Sequence, residues 1–153
     1  MAMIKKSHFQ EKEPILEGFL SNLRFNKISK YIPKDSKVLD LGCGYNGFFL
    51  TKNKNRISGG TGIDVSVNES NLDPKIKLIR HDLNQALPFE ENFFDAVVSL
   101  ANLEHLENPQ QNLIEIFRVL RPGGILLLTT PSVYAKPVLE FLSFKLGLIN
   151  KKS

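Results

Sequence analysis

Several features that mark specialised proteins are scarce in this 153-residue chain, and each shortage excludes something. It has a single cysteine, Cys43, so no disulfide can form within it, which fits a reducing compartment. No apolar run approaches the ~20 residues that cross a bilayer. The opening stretch carries Lys5 and Lys6 but no apolar segment behind them, so it does not read as a secretory signal. The expected location is therefore cytoplasmic. The three histidines, His8, His81 and His105, lack the spacing of metal ligands, and no metal is expected. There are no internal repeats or low-complexity tracts. Nor is there a patch where arginines and aromatics interleave, so nucleic acid is disfavoured as a partner. The net charge of +4 comes from lysines scattered among acids and reads mainly as a solvated surface.

What is present is an ordinary globular composition, 42% hydrophobic and 24% charged, in a length that suits one domain with one core. Residues 1–34 read as an N-terminal helical segment, 35–132 as the core and 133–153 as a C-terminal helix. In the first segment Leu16, Phe19, Leu20 and Leu23 recur with helical spacing, which predicts a helix from about Pro14 to Lys30 with that face apolar. "KVLDL" predicts a strand ending in a glycine turn and a brief helix through Phe48, Phe49 and Leu50. "GGTGIDVS" predicts a second strand that ends at Asp64, "KIKLIRHD" a third ending near Asp82, and "FDAVVSL" a fourth, buried on both faces. A helix then begins near Pro109, with Leu113, Ile114, Phe117 and Leu120 along one face and "RPGG" as its stop. "ILLLTT" is the fifth strand. Strands alternating with helices predict right-handed crossovers and an open, doubly wound, mostly parallel α/β sheet.

In such sheets ligands sit at the carboxyl ends of the strands. Asp40, Asp64, Asp82 and Ser99 all fall there. Any one of these could merely cap a turn, but together they ring the glycine turn "LGCGYNG". Gly42, Gly44 and Gly47 have the G-x-G-x-x-G spacing of a dinucleotide-binding loop. Gly42 and Gly44 let the backbone approach a ligand closely, and Asp64 is spaced as an acid that takes both hydroxyls of a ribose. On this evidence nicotinamide and adenosyl cofactors are tied. Asp40 separates them. A carboxylate repels a pyrophosphate in a partly dry site, but suits a ligand carrying an ammonium and a sulfonium. S-adenosylmethionine carries both.

These residues resemble the class I S-adenosylmethionine-dependent methyltransferase family. "VLDLGCG" is similar to its first motif, "GIDVS" to its ribose-binding strand end, and the run from "HDLNQALPF" through "LRPGGILLLTTPS" to the segment between its adenine loop and fifth strand. The likeness extends from Lys37 to Ser132. It implies that Asp40 meets the methionine ammonium, that Gly42 and Gly44 pass close to the methionine and ribose, and that Asp64 takes the ribose hydroxyls. It further implies that Asp82 accepts from the adenine amino group beside the Leu83 N–H, and that Ser99 offers its carbonyl to the ammonium. One departure stands out: many members place the third glycine where this chain has Asn46. "GYNG" then reads as a lengthened turn, with Tyr45 over the ligand.

The reaction implied is methyl transfer to a small-molecule or lipid-like acceptor, with S-adenosylhomocysteine as product. The Asn-Pro-Pro-aromatic motif of amino-directed DNA methyltransferases is absent after the fourth strand, where "SLAN" stands. Beyond that strand, His105 beside Glu104 is the candidate for a base, although a role in packing the loop is the plainer reading. Cys43 has no partner histidine and reads as structural, and Glu115 and Arg118 as supports for their helix. The family continues past its fifth strand with a helix and two more strands, whereas only "VYAKPVLEFLSFKLGLINKKS" follows here. Val138, Leu139, Leu142 and Leu146 predict one amphipathic helix in it. The favoured expectation is a fragment of a longer enzyme that binds the cofactor and turns over poorly. The others are a short form that pairs its apolar sheet edge as a homodimer, a non-catalytic adenosyl-binding module, and a nicotinamide-dependent oxidoreductase resting on glycine spacing alone.

Overall fold

The structure, a computed structural model, describes residues 14–70 and 73–145. His8 and Leu146 lie outside that range. The elements in chain order are α1 (Pro14–Ser29), β1 (Lys37–Leu41), α2 (Phe48–Asn53), β2 (Gly59–Asp64), β3 (Ile76–Arg80) and β4 (Phe94–Leu100). They continue with a 3-10 turn (Leu103–His105), α3 (Pro109–Val119), β5 (Leu120–Thr129) and α4 (Ser132–Lys145). The five strands form one sheet in the order β3-β2-β1-β4-β5, and every pairing is parallel. The order reverses direction beside β1, so the carboxyl ends of β1, β2 and β4 bound the crevice where this topology binds ligands.

Side-chain alternation along the strands divides the core between the two faces. Leu39, Leu41, Ile63 and Val97 meet Leu113, Ile116 and Val119 of α3 on one face. Val38, Ala96 and Val98 meet Phe49, Leu50 and Ile57 on the other. Burying side chains of this size stabilises the fold by about 1.5–3 kcal/mol each. Phe25 and Ile28 pack α1 onto the second cluster, with the Phe25 ring 5.4 Å from that of Phe49.

The five strands fall where the sequence places them, except that β5 begins at Leu120, ahead of "ILLLTT", and several details differ from the sequence reading. β3 ends at Arg80, so Asp82 stands two residues beyond it in a loop. Leu23, expected on the apolar face of α1, is 50% exposed, and Phe25 and Ile28 take the inward positions instead. In α3 the buried face is Leu113, Ile116 and Val119, while Ile114 is exposed. Leu113 is buried as expected and Phe117 is half-buried, while Leu120 is buried as the first residue of β5 and not on the helix. "RPGG" does not stop α3, because the helix has already ended at Val119. Between the pairs Phe94–Leu120 and Ala96–Ile125, β4 advances two residues and β5 five, so Arg121–Gly124 bulges out of the ladder. Asp95 anchors the bulge: its carboxylate meets Arg121 at 2.7 Å and accepts the Lys37 N–H at 2.7 Å. In α4, Val138 is buried and Leu142 half-buried, whereas Leu139 is exposed. Among the described residues no strand pairs with the outer edge of β5, and no helix is long and apolar enough to cross a membrane.

Candidate active site

The turn after β1 is held by its neighbour strand. The N–H groups of Gly42 and Cys43 both donate to the Ile63 carbonyl, at 2.9 and 3.2 Å. All three glycines of the turn adopt left-handed φ, between +57° and +72°. Gly42 also has no room for a side chain, because a β-carbon there would sit 2.7 Å from Asn102 Oδ1.

Asp64, at the end of β2, reaches across to this turn. Its Oδ2 accepts the Gly44 N–H at 3.0 Å and its Oδ1 the Ser66 N–H at 3.3 Å. A carboxylate has about four acceptor positions, so these bonds orient Asp64 and leave capacity for a ligand. Asp40 sits behind the turn, 3% exposed. Burial pushes its carboxyl up to about 8, and the nearby Asp64 charge adds to the shift. A cation entering here would reverse both effects. Cys43, pushed up to about 12 by burial and then by Asp40 and Asp64, is held as an unreactive thiol.

The loop after β3 is strapped to α3. Its Asp82 accepts from the Asn84 N–H and the Asn84 side chain, at 2.9 and 3.1 Å. Asn112 donates to the Leu83 carbonyl at 3.2 Å, and Glu115 accepts the Leu87 N–H at 2.8 Å. Arg118 donates to the Phe89 and Leu87 carbonyls at 2.7 and 2.9 Å, and its guanidinium also grips both oxygens of Glu115. That pairing holds the Glu115 carboxyl below its ordinary range. These three α3 residues, three positions apart, therefore fix the loop presenting Asp82 and Leu83. The sequence reading assigned Glu115 and Arg118 to helix support and missed this role. Its signal was the polar stripe Asn112, Glu115, Arg118 on a helix whose other inward residues are apolar.

A third wall follows β4. Ala101 has φ of 50°, a left-handed conformation costly for a residue with a β-carbon. Its N–H donates to the Thr129 carbonyl at 3.0 Å. This kink brings Asn102 over Gly42. The amide nitrogen of Asn102 is buried without a hydrogen-bond partner among the described residues.

Together these walls enclose a cleft of about 220 Å³, bounded among others by Gly42, Asp64, Asp82, Leu83, Asn102 and His105. Asp40 and Ser99 lie beneath it, both buried. They occupy opposite faces of the sheet: Asp40 shares that of Val98 and Ser99 that of Val97. Only the backbone of Ser99 is therefore available to a group that meets Asp40. Gly44 is exposed at the rim of the turn, and Tyr45 is 59% exposed and outside the residues that bound the cleft. The Tyr45 carbonyl accepts the Asn68 N–H at 2.7 Å, so the extra residue in "GYNG" ties the turn to the loop after β2. The sequence reading missed Asn102, because nothing in "SLAN" announces a left-handed alanine.

A parallel sheet of this order, a glycine turn after β1 and a tethered acid ending β2 define a nucleoside-binding α/β domain. The buried acid beneath the turn and the unpartnered Asn102 donor fit S-adenosylmethionine, which brings an ammonium and hydrogen-bond acceptors. The family model described as "Methyltransferase domain" matches residues 39–128, more than half of the chain. The chain belongs to the class I S-adenosylmethionine-dependent methyltransferase family. It is 33% identical over 135 residues to a tRNA (carboxymethyluridine(34)-5-O)-methyltransferase of Arabidopsis thaliana, covering 82% of this chain and 33% of that protein. It is also 33% identical to the ubiquinone/menaquinone biosynthesis C-methyltransferase UbiE of Pasteurella multocida, covering 78% of this chain and 48% of that protein. Among solved structures it is similar to the cyclase SpnF, with a TM-score of 0.59 and 28% identity over 69% of this chain and 43% of that one. The chain thus spans a third to a half of the length of these relatives.

Proposed function

We propose that this domain transfers the methyl group of S-adenosylmethionine to a small-molecule or lipid-like acceptor. The observation that carries the reading is the buried Asp40 beneath a glycine turn that Asp64 holds from the far side. Asp40 takes the ligand's ammonium, helped by the Ser99 carbonyl. Gly42 and Gly44 let the methionine and ribose lie against the backbone, and Asp64 accepts the ribose hydroxyls. Asp82 and the Leu83 N–H take the adenine edge. When bound, S-adenosylmethionine supplies an electrophilic methyl on a sulfonium that loses its charge on transfer. The protein's main contribution is to hold acceptor and methyl in line, worth up to ~7–11 kcal/mol. His105, exposed on the cleft rim beside Asn102, stands where a base would take a proton from an oxygen or nitrogen acceptor.

The relatives are named for different acceptors, a tRNA for one and a quinone pathway for another. The lack of an arginine–aromatic patch favours the small molecule here. The edge of β5, unpaired among the described residues, supports association with a second copy through the sheet. The acceptor class is tested with methyl-tritiated S-adenosylmethionine and two pools, phenolic and isoprenoid small molecules and total tRNA. Label extracted into organic solvent is expected; label only in precipitated RNA would overturn the assignment.

A further inference from the structure

Lysines that are scattered along the sequence are gathered by the fold. The chain enters the parallel strands β1, β2 and β3 from one end of the sheet, through residues 27–37, 52–58 and 73–77. Together these segments carry nine lysines and arginines against Asp35 and Asp73. The segments that leave β2, β3 and β4 at the other end, 64–70, 80–87 and 100–108, carry five acids against Arg80. The molecule is therefore positive at the amino ends of β1–β3 and negative around the cofactor cleft. Glu90, Glu91 and Asp95, on and beside the loop entering β4, bound the positive region on that side. Asp73 neutralises Lys54 at 3.1 Å. Arg56 donates to the Ile32 and Lys30 carbonyls at 2.6 and 3.2 Å, and Lys75 to those of Lys54 and Ile57 at 3.2 Å. Carbonyls fix these cations in place without cancelling their charge. Two recesses at this end, of about 380 and 260 Å³, each have three of the nine cations in their walls.

We propose that this end docks on a phospholipid surface of net negative charge. The side-chain chemistry selects that occupant. Eight of the nine cations are lysine, a residue that protein–protein interfaces deplete. RNA is gripped by guanidinium forks and by bases stacked on open aromatic faces. Here the one arginine, Arg56, is tied to backbone carbonyls. The two exposed rings already carry lysines: Lys30 Nζ lies 5.1 Å from the Tyr31 centroid, and Lys37 Nζ 4.8 Å from that of Phe93. A diffuse negative surface suits point charges, and each lysine close to it is worth about fivefold in affinity. Tyr31, 55% exposed, and Phe93, 44% exposed, stand beside those lysines as rings that enter a headgroup layer. Strands β1–β3 are five or six residues long and hold the cleft ~16–20 Å from this end. A docked molecule thus keeps its cleft open to solvent. The proposal does not rest on the methyltransferase reading.

The test is co-sedimentation of the whole chain with vesicles of phosphatidylcholine alone, or of phosphatidylcholine and phosphatidylserine at roughly 2:1. Binding to the mixed vesicles is expected to be about tenfold tighter or more, and to weaken as salt rises from about 0.05 to 0.3 M. The pair Lys34→Gln and Lys77→Gln is expected to weaken it about 25-fold. Lys136→Gln, on α4 and outside this end, is expected to leave it unchanged within twofold. All three side chains are exposed, so the variants are expected to melt with the wild type. Equal binding to the two vesicle types, or binding to neither, would overturn the proposal. So would a loss from Lys136→Gln as large as that from the pair. Total tRNA that strips the protein from the mixed vesicles at equal phosphate concentration would overturn the choice of occupant.

Discussion

On the β2 side of the 3-10 turn, main-chain groups around the cleft are held by hydrogen bonds: Gly42 and Cys43 bond to the Ile63 carbonyl, Gly44 to the Asp64 carboxylate, and Leu83 and Leu87 to side chains of α3. On the α4 side, a second, mostly apolar cavity between the turn, α3 and α4 is a meeting of side chains from three elements, with no such web around Glu104 among the described residues. The first half is a frame whose polar groups are already oriented by hydrogen bonds. The second is a surface whose shape follows whichever residues occupy the turn and the helix. A fold that hosts many functions keeps such a frame and varies such a surface.

If the division is right, substitutions on the two sides separate in their effect on cofactor binding. The largest loss is expected for Asp64→Ala, which removes the ribose acceptor and frees the Gly44 N–H. Affinity for S-adenosylhomocysteine, measured by calorimetry, should fall about 100-fold or more, from bonds worth about 1.5–3 kcal/mol each. The second effect is on pH. Asp40, pushed up to about 8, holds a proton that the ligand's ammonium must displace. Affinity should therefore fall as pH drops from 8 to 6, by as much as about tenfold per unit, and Asp40→Asn should be weak and flat over that range. Stability should run the other way. The folded state keeps this proton between about 4 and 8 while the unfolded state has lost it, so this group makes the ligand-free protein less stable as pH rises through that window.

A third, smaller effect tests the strap. Glu115→Ala leaves the Leu87 N–H and Arg118 without their partner, and should cost about 2 kcal/mol of stability in denaturant melts. Cofactor affinity should weaken about tenfold as the adenine loop loosens. The smallest effect belongs to the other side: Val138→Ala, in the wall of the second cavity, should leave S-adenosylhomocysteine affinity unchanged within twofold. A large cofactor effect from Val138, or none from Glu115, would break the comparison.

The same division explains what could be read in advance. Five strands, their order of appearance and the rim acids were legible because strand periodicity, glycine and aspartate carry backbone meaning at short range. By its charge alone, Asp40 led to the proposal of an ammonium rather than a pyrophosphate at this turn. The α3 strap was legible only in part, since Asn112, Glu115 and Arg118 reach residues about 30 positions away. Asn102 was hidden because the left-handed Ala101 that aims it has no local signature. Tyr45, expected over the ligand, is 59% exposed and does not line the cleft in this structure, and its carbonyl accepts the Asn68 N–H.

The central claim is that the glycine turn and Asp40 form a site for a cationic amino-acid nucleoside. Calorimetric titration with S-adenosylhomocysteine at pH 7, in two buffers of different ionisation enthalpy, tests it most directly. The account predicts binding with release of roughly one proton per ligand, and no release from Asp40→Asn. Binding of NAD in place of S-adenosylhomocysteine, or binding without proton release, would contradict it.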